Sequence, residues 1–363
     1  MISTWRIIRA LGARVASLDH ETLCTCLQRW LYTKLDGVRE IEVTFKGAAE
    51  GGSSDTSFVD VGWVSGGCPV RQSFVLRREP SSFRVYPDPE LGRQVGVLNA
   101  LRAEGSVPVP EIAWFEPDPQ ILGTPFFLMG KITGRTLATF PSYNASGWLA
   151  EAAPLQRERA WISAVEALAR VHMVDAKWFP FLDCPSDGAS GLDQQLVYWA
   201  RYQHTQLTQP PHAMFAEAQR WLEDNAPRGK PSGLSWGDAR LGNMIFRDFE
   251  CVAVLDWETA SLGGAEADLG WWLFYDEFFS TGLGLAKLEG LGDRAATIAL
   301  WEKLTGRRAR NLLFFDIFTA YRVAQTIERV VMLHAAKGTS LPVGSGDQNP
   351  AIIVLRRLME GFS

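Results

Sequence analysis

Ser235-Trp236-Gly237-Asp238-Ala239-Arg240-Leu241-Gly242-Asn243, followed by Asp256-Trp257-Glu258, is the stretch on which the reading of this chain turns. It sets down an acid, an amide five residues later, and a second acid beyond an apolar run. Met244-Ile245-Phe246 and Cys251-Val252-Ala253-Val254-Leu255 read as two short strands joined by a polar turn at Arg247 to Glu250. Such a hairpin would bring Asn243 and Asp256 together. Asp-x-x-x-x-Asn alone arises often by chance, because Asp and Asn are ordinary loop and cap residues. The joint context favours an active centre over a structural loop.

Outward from that hairpin the chain is mostly helical on both sides. Upstream, Trp161, Val165, Leu168 and His172 share a helix face, and 193–204 and 213–225 are further helix candidates. Downstream, 266–279, 300–304 and 311–336 continue the pattern, and 337–350 is a Gly-, Ser- and Pro-rich loop before a last short helix. The first third differs. A helix is expected over 18–36, then strands at 41–45, 57–64 and 72–77, a helix at 90–104, and strands at 112–115 and 125–129. Gly130 and Gly134 flank a polar link that reads as a hinge. The expected fold is therefore α+β: a small antiparallel-sheet lobe over 1–130 and a larger, mainly helical lobe over 131–363. Ligands favour clefts between lobes of this kind.

The chain has 363 residues, with 47% hydrophobic and 21% charged, which fits a soluble globular protein of two lobes. A formal net charge of -5 argues against nucleic-acid and anionic-membrane partners, which want a basic surface. No apolar window is long enough to span a bilayer. Arg6, Arg9 and Arg14 break up the first segment, so 1–16 reads as an amphipathic helix rather than a signal peptide. Five scattered Cys give neither a disulfide framework nor a zinc spacing, and a reduced, cytoplasmic setting is expected.

The chemistry suggested by the central stretch is phosphoryl transfer, which needs positioning and cancellation of phosphate charge more than covalent help. Asp238 is the expected catalytic base. Asn243 and Asp256 offer the hard oxygen atoms that Mg2+ requires. Arg77, on the third strand, is either a phosphate clamp or a plain strand residue. The small-residue turn 47–54, with Gly51, Gly52 and Ser53, either offers backbone N–H groups to phosphates or is an ordinary hairpin loop.

At this point the chain resembles the aminoglycoside phosphotransferase-like family, which shares the protein-kinase-like fold with choline and homoserine kinases. The resemblance rests on 236–246, on Val254-Leu255-Asp256-Trp257-Glu258-Thr259-Ala260-Ser261-Leu262-Gly263, on Ala267-Asp268-Leu269-Gly270-Trp271, and more weakly on 122–129. It implies ATP or GTP as donor, Mg2+ as cofactor and a small-molecule hydroxyl as acceptor. It also implies purine contacts at the backbone of Met129 to Lys131 and a bracing role for Asp268. Glu258 either approaches the metal or caps the following turn. Two departures stand out. Trp236 occupies a position usually held by His, and Gln94 aligns where a Glu usually pairs with the strand cation. Glu90, four residues earlier on the same face, could substitute. These departures support an alternative in which the chain is a nucleotide-binding pseudokinase serving as a binding or regulatory module. The aromatic run Trp271, Trp272, Phe274, Tyr275, Phe278 and Phe279 is core by default. Any ring left facing a cleft would suit a bulky, partly apolar alcohol better than an aminoglycoside. His172 is expected to be a satisfied core residue.

Overall fold

A computed structural model describes residues 20–48, 55–80, 83–87, 91–229, 231–341 and 343–360. The helix expected over 1–16, Gly51, Gly52, Ser53 and Glu90 lie outside the described residues. The chain divides into two compact units, residues 1–92 with 112–131 and residues 93–111 with 132–363. The segment 93–111, placed with the first lobe by the sequence reading, thus groups with the second unit.

The first unit starts with helix α1 (His20–Leu31), whose Leu23, Leu27, Trp30 and Leu31 recur at helical spacing and are all buried. Strands β1 (Arg39–Ala48), β2 (Asp55–Ser65), β3 (Cys68–Arg78), β4 (Ile112–Glu116) and β5 (Phe126–Gly130) form an antiparallel sheet in the order β1-β2-β3-β5-β4. Alternation along β2 and β3 sends Val59, Val61, Phe74 and Leu76 inward, where they meet Leu27, Trp30, Phe126 and Leu128. Each such side chain, fully buried, contributes about 1.5–3 kcal/mol. Trp30 packs edge-on against Phe126 with ring centroids 4.8 Å apart, and its indole N–H donates to Glu116 at 2.7 Å. The β2–β3 hairpin closes on Gly66 and Gly67, both at positive φ, and this lets it run four residues further than alternation alone suggests.

The second unit holds α2 (Leu91–Glu104) from Arg93 onward, α3 (Trp148–Glu151), α4 (Pro154–Met173), α5 (Gly191–Gln206) and α6 (Ala213–Asp224). The hairpin β6 (Met244–Arg247) and β7 (Glu250–Val254) follows, then α7 (Ala265–Phe278), α8 (Arg294–Thr305), α9 (Leu312–Ala336) and α10 (Pro350–Glu360). The 300–304 helix proves to be the end of the longer α8, which starts from an Asp293 cap on the Ala296 N–H. α7 and α9 are the most apolar helices and pack on each other, Gly270 lying against the Phe315 backbone. No described helix is long and apolar enough to cross a membrane. All five cysteines are free thiols.

Candidate active site

The site is built on the loop 233–243 and on the hairpin that follows it. Ser235 and Ser261 exchange backbone hydrogen bonds of 2.8 and 3.0 Å, and Gly264 N–H donates to Gly233 O at 3.2 Å. These bonds clasp the two ends of the excursion. The loop then turns at Gly237, whose φ is +96°. A Cβ there would lie 2.4 Å from Thr259 O, so both the conformation and the space demand glycine.

Beneath the loop lies Asp268, in the first turn of α7 and completely buried. Its Oδ1 accepts from Ser235 Oγ at 2.7 Å and Gly237 N–H at 2.8 Å. Its Oδ2 accepts from Trp236 N–H at 2.5 Å and His172 Nε2 at 3.0 Å. Trp301 Nε1–H donates to His172 Nδ1 at 2.8 Å, which leaves Nε2 as the protonated nitrogen facing Asp268. A buried carboxylate is tolerable only with several donors, and here four groups supply them. His172 is thus the satisfied core residue that was expected. Its link to Asp268 lay beyond the reach of sequence reasoning.

Trp236 is fully buried, tilted against Trp257, and donates its indole N–H to Leu255 O at 2.7 Å. It therefore ties the loop to the end of β7, and it does so as a donor only. Arg322, buried on α9, donates to Gly237 O at 3.2 Å and sits 4.4 Å over the Trp271 ring.

Above this base, Asp238 is held from three directions. Asn243 Nδ2 donates to its Oδ2 at 2.6 Å and Trp271 Nε1 to its Oδ1 at 2.8 Å. Arg240 Nε lies 3.0 and 3.1 Å from its two oxygens. Asn243 also donates to Asp238 O at 3.0 Å, so its amide nitrogen is spent on the loop. β6 and β7 pair Met244 with Val254, and Leu255 N–H donates to Asn243 O at 2.9 Å. The hairpin thereby sets Asn243 beside the strand end that leads to Asp256. Asp256 adopts φ +63°, a left-handed conformation that costs energy outside glycine. Burial works against the Arg240 charge, but Asp238, Tyr275 and Asp256 outweigh it and hold the guanidinium pKa above its ordinary value. Glu258, two residues past Asp256, is half-buried.

Tyr143, Arg240, Trp272, Tyr275, Asp276 and Phe279 surround a cavity of about 10 Å³, room for one water. Burial raises the Asp276 pKa, while Lys287, in direct contact with its carboxylate, opposes that rise. The aromatic run is thus partly core, with Trp271, Trp272 and Phe279 buried, and Trp272, Tyr275 and Phe279 reach this cavity.

The remaining predicted residues are placed as follows. Arg77 is buried on β3 between Thr56 of β2 and Phe127 of β5. Met129 pairs with Val75 and Ile112 at the end of β5. Lys131 donates its N–H to Ser73 O at 3.1 Å and lays its ammonium 4.7 Å over the Phe58 ring. Gln94 is buried on α2. Sequence reasoning missed Arg240 and the Trp271 indole as partners of Asp238. The signal for Arg240 lay within the opening motif, two residues past Asp238.

Comparison with known proteins gives three findings. The Phosphotransferase enzyme family profile matches residues 44–306. Acyl-CoA dehydrogenase family member 11 from Pongo abelii is 29% identical over 264 residues, 71% of this chain and 32% of that protein. The Homo sapiens protein of the same name is 28% identical over 266 residues, with the same coverage. The chain thus spans about a third of the length of these relatives. Among solved structures, a candidate aminoglycoside phosphotransferase of Ralstonia eutropha JMP134 superposes with a TM-score of 0.64 at 23% identity, covering 93% of this chain and 94% of that one. A thermostable mutant of aminoglycoside phosphotransferase APH(4)-Ia, in a ternary complex with ADP and hygromycin B, superposes at 0.51 with 14% identity, covering 91% and 98%. At these identities the structures establish the fold: α+β and protein-kinase-like, with a small antiparallel sheet and a mainly helical remainder.

Proposed function

Because the chain belongs to the phosphotransferase enzyme family, we propose that it moves the γ-phosphoryl group of ATP or GTP to a hydroxyl of a small, partly apolar molecule. The observation that carries this is the arrangement at the base of the β6–β7 hairpin. Asn243 donates its amide nitrogen to Asp238 and stands next to the strand end that leads to Asp256, whose φ is +63°.

In this reading the acceptor hydroxyl donates to Asp238. Its oxygen forms a bond to the γ-phosphorus as the bond to the β-phosphate oxygen breaks. The leaving electron pair goes to ADP or GDP, and the hydroxyl proton goes to Asp238. Three fixed donors hold the carboxylate in place, and a loose transition state asks for orientation more than basicity. The residues present fit Mg2+. Among the described residues no cluster of three or more His, Cys, Asp or Glu forms a closed metal cage. One amide oxygen and one carboxylate match an ion that takes its other ligands from phosphate and water. Asn243 and Asp256 would hold it, and it would offset phosphate charge. Arg77 is assigned to the α- and β-phosphates, and the backbone of 129–131 to the purine.

Two observations direct the acceptor away from aminoglycosides. A polycation needs unpaired carboxylates, yet Asp238 is paired with Arg240 and Asp276 with Lys287. The relatives also carry about two thirds of their length beyond the matched segment and are named for acyl-CoA dehydrogenation. We therefore assign the acceptor to hydroxylated acyl compounds, and the reduced thiols to a cytoplasmic setting. Trp236 does not weigh toward a pseudokinase, since it braces the loop through two hydrogen bonds of its own.

The test is magnesium-dependent nucleotide turnover across aminoglycosides, amino alcohols, hydroxy fatty acids and their thioesters, with Asp238→Ala beside the parent. Turnover driven by the hydroxyacyl compounds and lost in the variant supports the proposal. Turnover driven by aminoglycosides alone overturns the acceptor assignment. Nucleotide binding without turnover on any class favours the binding-module alternative.

A further inference from the structure

A groove of about 530 Å³ lies on the second unit, between the α8–α9 turn and the stretch of chain that enters the loop 233–243. Pro231, Glu266, Arg307, Arg308, Arg310 and Phe315 line it. None of them is among the partners that hold Asp238. Its volume suits a small organic molecule rather than a bare ion.

The charge of this groove runs against that of the chain. The protein carries a formal net charge of -5, yet Arg307, Arg308 and Arg310 gather here against one acid, Glu266. Their pairing is incomplete. Arg308 contacts Glu302 at 2.8 Å with its own side chain 82% exposed. Arg307 donates to His172 O at 3.5 Å, and its Nη2 lies 3.8 Å from Glu266 Oε2, beyond hydrogen-bonding distance. The exposed Arg310 side chain forms no hydrogen bond or ion pair with any described residue. Like charges drawn into one concavity repel each other, and the concavity focuses their field on whatever enters. A bound anion would relieve that repulsion.

The turn that carries the arginines is held in shape by the protein itself. Gly306 and Asn311, left-handed at φ +68° and +54°, bracket it. Glu302 accepts from Ala309 N–H at 2.9 Å as well as from Arg308, and Gly306 N–H donates to Glu302 O at 2.9 Å. The Arg307 guanidinium lies 5.8 Å from the ring centroid of Trp301, which is buried. On the facing side, Pro231 is packed against Gly264, where a Cβ would come 2.7 Å from it. α9, 25 residues long, starts at Asn311 with no side-chain cap, which leaves the positive end of its dipole at the groove. A wall fixed in advance loses little freedom when a ligand binds.

We infer that this groove is a second ligand site, built for a small, soluble phosphate monoester. Guanidinium groups match phosphate oxygens in geometry as well as charge. Pro231 and Phe315 give the carbon skeleton an apolar wall. Glu266, with its side chain only 8% exposed, confines negative charge to the arginine side of the groove. The site stands apart from Asp238 and adds no step to the phosphotransfer reading, so neither depends on the other.

The experiment titrates glycerol 3-phosphate, glucose 6-phosphate, glucose and citrate into the full chain by calorimetry. The parent is compared with an Arg308→Ala/Arg310→Ala double variant and with Asp256→Ala. Both arginines are exposed, and Arg307, which touches His172, is left in place. At least one of the two phosphate esters is expected to bind the parent. The double variant should weaken it by roughly 10- to 100-fold, the cost of losing charge-assisted contacts. Asp256→Ala should leave it within about twofold, because that change lies at the proposed metal site. Binding unchanged in the double variant, or lost in Asp256→Ala, would put the phosphate elsewhere and overturn the inference. Citrate bound as tightly as the esters would overturn the assignment to phosphate. Failure of both esters to bind would overturn the site as a whole, and sedimentation with phosphatidic acid vesicles in that event would give the groove to a lipid surface instead.

Discussion

Replacing Asp268 by Asn should loosen the whole loop 233–243, and the size of the effect follows from its four donors. The carboxylate accepts from Ser235, Gly237, Trp236 and His172. Asn keeps one acceptor oxygen and turns a donor toward the other pair. The least costly placement puts the amide on the Oδ1 side, because the Ser235 hydroxyl can reverse and accept. Gly237 N–H then has no acceptor, at about 1–3 kcal/mol for a buried donor. The bonds to Trp236 and His172 also lose their charge assistance, at about 1 kcal/mol each. The total is about 3–5 kcal/mol. For a unit of this size that corresponds to a fall in Tm of roughly 6–20 °C. Thermal unfolding of parent and variant, followed by circular dichroism, measures it. A Tm within about 2 °C of the parent would refute the argument, since it would mean that the loop does not depend on that carboxylate.

Asp238→Ala should lower kcat by about 100- to 10,000-fold, with nucleotide affinity, measured by calorimetry, within about threefold. Trp271→Phe keeps a ring under Arg322 but removes the donor to Asp238, and kcat should fall by roughly 10- to 100-fold in steady-state assays. Gly237→Ala forces a Cβ against Thr259 O at positive φ and should cost about 2–5 kcal/mol in denaturant unfolding. Burial pushes the Cys251 thiol from 9.0 up to about 12. Its contribution to stability is therefore complete below pH 9.0 and is lost as the pH climbs toward about 12. Cys251→Ala should flatten the decline in stability across that alkaline window, as followed by urea unfolding at successive pH values.

The parts of this molecule that repeat along the chain were legible in its sequence. Alternation exposed β1 to β3, helical spacing exposed α1, α4 and α9, and the apolar runs on either side of Arg247 to Glu250 exposed the hairpin. The four-residue α3 was missed because one turn carries no period. In the site, the order of Asp238, Asn243 and Asp256 was visible because the three lie within one local motif. The partners that fix them were not. Trp271 meets Asp238 across 33 positions and His172 meets Asp268 across 96. Periodicity tells which face of α4 or α7 is buried, but not which polar group on that face meets which across the core. Asp256 was placed by motif, and its left-handed backbone had no local signal, since nothing about Asp-Trp-Glu requires it.

The clasp between Ser235 and Ser261 closes the intervening chain into a ring, which is tied again where Leu255 N–H meets Asn243 O. The ring's far end is the Asp248–Phe249 turn, where both residues take positive φ, while the part nearest the clasp carries Asp238 and Trp236. Change can therefore accumulate unevenly around it. The exposed Arg247 and Asp248 at the far turn can be exchanged with the fastening intact, although Phe249 beside them packs on Trp148, whereas an insertion between Ser235 and Asn243 has nowhere to go. A lineage descending from this chain could vary the exposed side of the hairpin tip into a new contact surface while the geometry around Asp238 stays fixed at the other end of the same loop.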